Sequence, residues 1–114
     1  MRELRGAELI ERVAAAAGTA TPPWLLLDVR EPWECALASI RLDGAASLAL
    51  PIDEVPARLA ELDPAQPVAC ICHHGVRSAQ VVAFLERRGF GAVYNLAGGI
   101  DAWSAEVDPG VARY

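Results

Sequence analysis

Residues Val68 to Leu85 constrain the fold more than any other part of the chain. Val68-Ala69-Cys70-Ile71 is an uninterrupted apolar run of strand length. Cys72-His73-His74-Gly75-Val76-Arg77-Ser78 follows as a polar loop with one glycine. It leads into Ala79-Gln80-Val81-Val82-Ala83-Phe84-Leu85, where Val81 and Leu85 share a helix face. A strand therefore delivers a cysteine to a tight loop that closes onto a helix start. A strand with no polar alternation is covered on both faces, as in a parallel sheet.

The same pattern recurs along the chain. Arg2 to Ala17 opens with a very short strand and continues as a helix, with Leu9 and Val13 on one stripe. Gly18 to Pro23 breaks it, and Trp24-Leu25-Leu26-Leu27 is a second fully apolar run ending at Asp28. Glu31-Pro32-Trp33-Glu34 starts a short helix, with proline in the first turn where its missing N–H does no harm. Ala45 to Leu50 reads as a strand, and Pro51 onward as a helix with Val55, Leu59 and Leu62 on one face, stopped at Asp63-Pro64. The helix after the cysteine loop ends near Gly89, and Val93 to Leu96 is the last strand. Gly98-Gly99 turns into a short helix through Trp103, and residues 104–114 are expected as a surface tail.

Strands alternating with helices predict a single α/β domain over residues 1–114, an open parallel sheet of four to five strands flanked by helices on both faces. Ligands of such sheets bind outside the carboxyl ends of the strands. Asp28, Cys72 and Leu96 all fall at those ends.

Composition narrows the function. The net charge is −5, which gives no reason to expect nucleic acid or an anionic membrane surface as a partner. All 10 basic residues are arginine, which excludes a Schiff-base lysine. Three cysteines without a disulfide-like framework suit a reducing compartment. No apolar run approaches membrane-spanning length, and acidic Glu3, Glu8 and Glu11 do not fit a signal peptide. A cytoplasmic protein is expected.

Cys72 is the candidate nucleophile. Thiolate is the reactive form of cysteine, and the unpaired N–H groups and positive dipole end of a helix start favour it. Gly75 permits the backbone turn that an amide cradle needs, and Arg77 is placed to hold an anion. Ser78 suits the helix N-cap. His73 and His74 read equally as proton carriers or as solvent-facing rim residues. Cys70, inside the apolar run, reads as a core thiol, and Cys35 as a spectator on the short helix. The Cys70–His74 segment has no second cysteine or histidine cluster to complete a zinc site, so no metal is expected. Asp28 and Arg30 read as supporting residues: a carboxylate ending a buried strand needs a partner, and Arg30 and Arg77 are both candidates.

Cys-His-His-Gly-Val-Arg-Ser after an apolar strand resembles the active-site loop of a single-domain rhodanese. Leu27-Asp28-Val29-Arg30-Glu31-Pro32-Trp33-Glu34 and Tyr94-Asn95-Leu96-Ala97-Gly98-Gly99-Ile100-Asp101-Ala102-Trp103 match in the family's order. Ser39 to Ala45 departs from the family's pattern, and no substrate contact is assigned there. The resemblance implies a sulfurtransferase of the thiosulfate type, working by ping-pong through a Cys72 persulfide without a cofactor. The implied partners are a small sulfur donor such as thiosulfate and a thiol or sulfur-carrier protein as acceptor. The alternatives are a non-catalytic rhodanese-like interaction module and a phosphatase or arsenate reductase on a related fold. The resembling phosphatases enclose five residues between cysteine and arginine, whereas Cys72 and Arg77 enclose His73 to Val76 alone, one fewer.

Overall fold

The computed structural model describes residues 2–114. Strand β1 (Glu3–Leu4) is followed by helix α1 (Gly6–Ala16), β2 (Trp24–Asp28), α2 (Pro32–Leu37) and β3 (Ala45–Ala49). Two single 3-10 turns (Ile52–Glu54 and Leu59–Glu61) lead to β4 (Val68–Ile71), α3 (Val76–Arg87), β5 (Val93–Leu96) and α4 (Gly99–Glu106). The five strands form one sheet in the order β1-β5-β4-β2-β3, every pairing parallel. The expected α/β architecture is the observed one. The cysteine-bearing β4 lies between β5 and β2, so Cys72 leaves the sheet near its centre.

Side chains alternate across the strands and feed two cores. Leu25, Leu27, Val68, Cys70 and Val93 pack with Val81, Val82 and Leu85 of α3. Trp24, Leu26, Ala69, Ile71 and Leu96 pack with Leu9 and Val13 of α1 and Ile100 and Trp103 of α4. Both faces of the central strands are thereby buried, which is why these strands carry no polar alternation.

Three local expectations change. The helix predicted after Pro51 is instead the pair of 3-10 turns, because Pro56 supplies no N–H to continue an α-helix past its first turn. Val55 and Leu62 still reach the core. Helix α4 runs through Glu106, three residues past the expected end at Trp103, and the exposed or half-buried segment beyond it has contacts back to the domain. Ser104 Oγ donates to the Val111 carbonyl, and Val107, Val111 and Tyr114 pack against the second core. Helix α3 begins at Val76 with Gly75 at its N-cap in the left-handed conformation (φ 100°). Ser78 is therefore not the cap; it sits in the first turn, with its hydroxyl aimed back at the loop.

Candidate active site

Cys72 follows directly on β4 and is 1% exposed. The Gly75 N–H donates to its Sγ at 3.0 Å, and Ser78 Oγ lies 3.2 Å from the same sulfur. The expected amide cradle is thus narrower than a full ring: among the described residues, one backbone N–H and one hydroxyl reach the sulfur. The positive φ of Gly75 turns its N–H inward, a conformation that side-chain-bearing residues rarely adopt.

Two neighbouring elements fix this loop. Asn95 of β5, fully buried, donates through Nδ2 to the Gly75 carbonyl at 3.0 Å, and its Oδ1 accepts the Ser78 hydroxyl. The start of α4 caps the loop from the other side. Ile100 N donates to the Cys72 carbonyl at 2.9 Å and Asp101 N to the His73 carbonyl at 3.1 Å. Gly99 (φ 63°) makes that approach possible, since a Cβ there would collide with both carbonyls. The Gly98-Gly99 pair therefore serves close packing.

Arg77 and the Asp28-Arg30 pair separate into two linked ion pairs. Asp28 pairs with Arg30: Nε donates at 2.8 Å and Nη2 at 2.6 Å. Arg30 is completely buried, and its remaining N–H groups go to the carbonyls of Glu34 (3.3 Å) and Ala38 (2.7 Å) and to Tyr114 Oη (3.0 Å). Arg77 pairs instead with Glu34 in a bidentate geometry, 2.6 and 2.9 Å. Its hydrogen bonds to Glu34 hold the guanidinium pKa above the ordinary value, and Cys72 adds to the rise. Arg77, Tyr114 and the Glu31 N–H together hold the Glu34 carboxyl down at about 2, against the opposing effect of burial. Tyr114 Oη donates to Glu34 Oε2 at 2.7 Å.

The rim is aromatic. The His73 ring stacks on His74 and on Tyr114, each with a 3.9 Å centroid separation. His73 Nε2 is buried without a hydrogen-bond partner. His73, His74 and Asp101 offer ligand atoms within 4.8 Å of one another. However, Arg113 grips both Asp101 carboxylate oxygens at 3.0 Å, and the two imidazoles are stacked on each other. This arrangement suits a packed rim better than a metal centre. Val76, the first residue of α3, and Trp33, on α2, are exposed. Cys70 is sealed in the core, where burial pushes its thiol pKa far up, and burial also raises that of half-buried Cys35.

The loop residues Cys72 to Ser78 are together, and Asp28 and Arg30 flank them through Glu34. Sequence reasoning missed Glu34, Asn95 and Tyr114. A buried asparagine in an apolar strand was a readable sign, because such a group needs partners. Tyr114 carried no such sign, standing 80 residues from the carboxylate it contacts.

The rhodanese-like domain family's sequence profile matches residues 10–106. The chain belongs to that family. A sulfurtransferase from Allochromatium vinosum is 40% identical over 88 residues, covering 77% of this chain and 78% of that protein. A probable adenylyltransferase/sulfurtransferase, MoeZ, from Mycobacterium tuberculosis is 32% identical over 112 residues, covering 89% of this chain but only 28% of that protein. The crystal structure of a rhodanese-related protein from Thermoplasma volcanium superposes with a TM-score of 0.79 at 33% identity, covering 100% of both chains. These relatives support a sulfur-transferring kind of reaction for this rhodanese-like domain. Among its described residues, no helix is long and apolar enough to cross a membrane.

Proposed function

We propose that this rhodanese-like domain is a sulfurtransferase that carries sulfane sulfur on Cys72. The observation that carries the reading is the cysteine sulfur at the carboxyl end of a central strand, held by the Gly75 N–H and the Ser78 hydroxyl. With its proton lost to water, the Cys72 thiolate attacks the outer sulfur of thiosulfate. A new S–S bond forms, the bond to the sulfonate sulfur breaks, and sulfite leaves with the electron pair. A protein persulfide serves equally as donor, with a thiolate leaving. The acceptor then attacks the terminal sulfur and the electron pair returns to Cys72. The Gly75 N–H stabilises the sulfur's charge in both steps, and the Ser78 hydroxyl joins it when its one proton turns from Asn95 Oδ1 to the sulfur. A thiol or a sulfur-carrier protein is the acceptor this chemistry suits, in a reducing compartment such as the cytoplasm.

Cys72 is buried in the resting arrangement, so donor access requires the side chains that cover its sulfur to yield. The same burial is what an interaction module without turnover would show, and this is the second reading. Intact mass after thiosulfate exposure separates the two. We expect one added sulfur, removed by cyanide as thiocyanate and absent from Cys72→Ser. An unchanged mass under conditions where the chain stays folded overturns sulfur transfer. Hydrolysis of phosphate esters faster than thiosulfate turnover would move the assignment to phosphatase chemistry.

A further inference from the structure

We propose that Tyr114 is a positioning residue for the anion-binding side of this site, acting on Arg77 through Glu34. This rests on the sulfur-transfer reading above and adds a residue to it. Three contacts carry the inference. The Tyr114 hydroxyl donates to Glu34 Oε2 at 2.7 Å, the same oxygen that accepts Arg77 Nη2 at 2.9 Å. The hydroxyl also accepts from Arg30 Nη1 at 3.0 Å, and Arg30 is itself locked onto Asp28. Its ring stacks on His73, the residue after Cys72, at 3.9 Å and 11°.

Tyr114 therefore closes a continuous chain of partners: Asp28, Arg30, Tyr114, Glu34, Arg77. Without the phenol, Arg30 and Glu34 would each lose a hydrogen bond at a site nearly inaccessible to water. Glu34 has little freedom of its own, being 4% exposed at its side chain and held at its other oxygen by the Glu31 N–H and Arg77 Nη1. The phenol fixes the carboxylate plane, and a bidentate partner in turn fixes the guanidinium plane of Arg77. Arg77 side-chain exposure is 33%, so an anion approaching the loop meets a guanidinium already oriented. Burial and Glu34 raise the Tyr114 pKa to about 12, with Arg30 opposing. The hydroxyl thus remains a donor at neutral pH.

The segment that brings Tyr114 here is itself anchored. Arg113 holds Asp101 at both carboxylate oxygens, and Asp101 N caps the His73 carbonyl. Residues 107–114 are thereby tied to the loop at two neighbouring points.

The test compares Tyr114→Phe, Glu34→Gln and the double variant in steady-state turnover of thiosulfate with cyanide, alongside thermal midpoints and sulfur loading by mass. Tyr114→Phe keeps the ring stack and removes the hydroxyl. We expect KM for thiosulfate to rise about tenfold with kcat within about twofold, as for loss of one hydrogen bond to a charged group. In the Glu34→Gln background the same change should add less than about twofold, the coupling expected of residues acting through one another. A role limited to packing would lower the midpoint and leave KM unmoved. Unchanged KM in Tyr114→Phe, or full additivity with Glu34→Gln, overturns the proposal while wild-type loading leaves sulfur transfer standing. Failure of the wild type to load sulfur overturns the underlying reading instead.

Discussion

Around Arg30 each guanidinium N–H has a protein partner, and the carboxylates of Asp28 and Glu34 are both paired. Around Cys72, the sulfur has one backbone N–H and one shared hydroxyl, and Nε2 of the next residue, His73, is buried without a partner. The two regions meet at Arg77, which belongs to the loop by sequence and to the charged network by contact. The difference teaches which part is scaffold. Buried charges tolerate no missing partner, so their network has to be complete. A sulfur that must gain and lose a second sulfur needs spare capacity around it. Satisfaction marks the frame and its lack marks the place where chemistry is expected.

The strongest way to break this contrast is to damage the frame. Arg30→Met removes a fully buried cation and strands the Asp28 carboxylate. We expect a loss of about 3–5 kcal/mol of stability, measured by urea unfolding. A loss under about 1 kcal/mol would mean that the network is dispensable. Gly99→Ala attacks the contact between frame and loop. Its Cβ would meet the Cys72 and His73 carbonyls at a positive φ, so about 2–4 kcal/mol of destabilisation is expected, with slowed sulfur loading.

How far the sequence foretold these regions follows the same division. Apolar runs such as Trp24–Leu27 and Val68–Ile71 declared a parallel sheet because burial on both faces leaves no polar position. Cys72 to Arg77 declared the loop because it is local in the chain. The frame was far less legible. The partners of Arg30 and Arg77 lie up to 84 residues away, and nothing in local spacing distinguishes Glu34 from Glu31 as the acid that turns inward. The start of α3 departs from expectation for a similar reason: Ser78 has a capping residue's chemistry, but the left-handed turn at Gly75 starts the helix earlier and leaves the hydroxyl between Asn95 and the sulfur. Pro56 fits only in the first turn of a helix, and the spacing of Val55, Leu59 and Leu62 does not carry the helix past it.

Acid titration sharpens the comparison at intermediate cost. The Glu34 pKa is about 2 in the folded chain and returns to ~4.3 when unfolded. Its stabilising contribution is therefore complete above about pH 4.3 and disappears as pH falls toward the folded value. The stability gap between wild type and Glu34→Gln should be constant from pH 7 to about pH 5 and narrow below that, as followed by urea midpoints at each pH. A gap that stays constant down to pH 3 would remove Glu34 from the charged frame.

The smallest change in stability is expected inside the loop. Ser78→Ala removes a buried hydroxyl that touches both Sγ and Asn95 Oδ1, leaving the Asn95 acceptor unpaired. The cost is expected at about 1–2 kcal/mol in urea unfolding. The effect on sulfur loading should be larger in proportion, roughly fivefold to tenfold slower by mass-resolved time course, because the hydroxyl faces the charge that moves. Arg30→Met should show the reverse ratio, a large stability loss with a loading rate per folded molecule that changes less. If both substitutions scale rate and stability alike, frame and loop are one unit, and the surplus of partners around Arg30 tells nothing about where the chemistry lies.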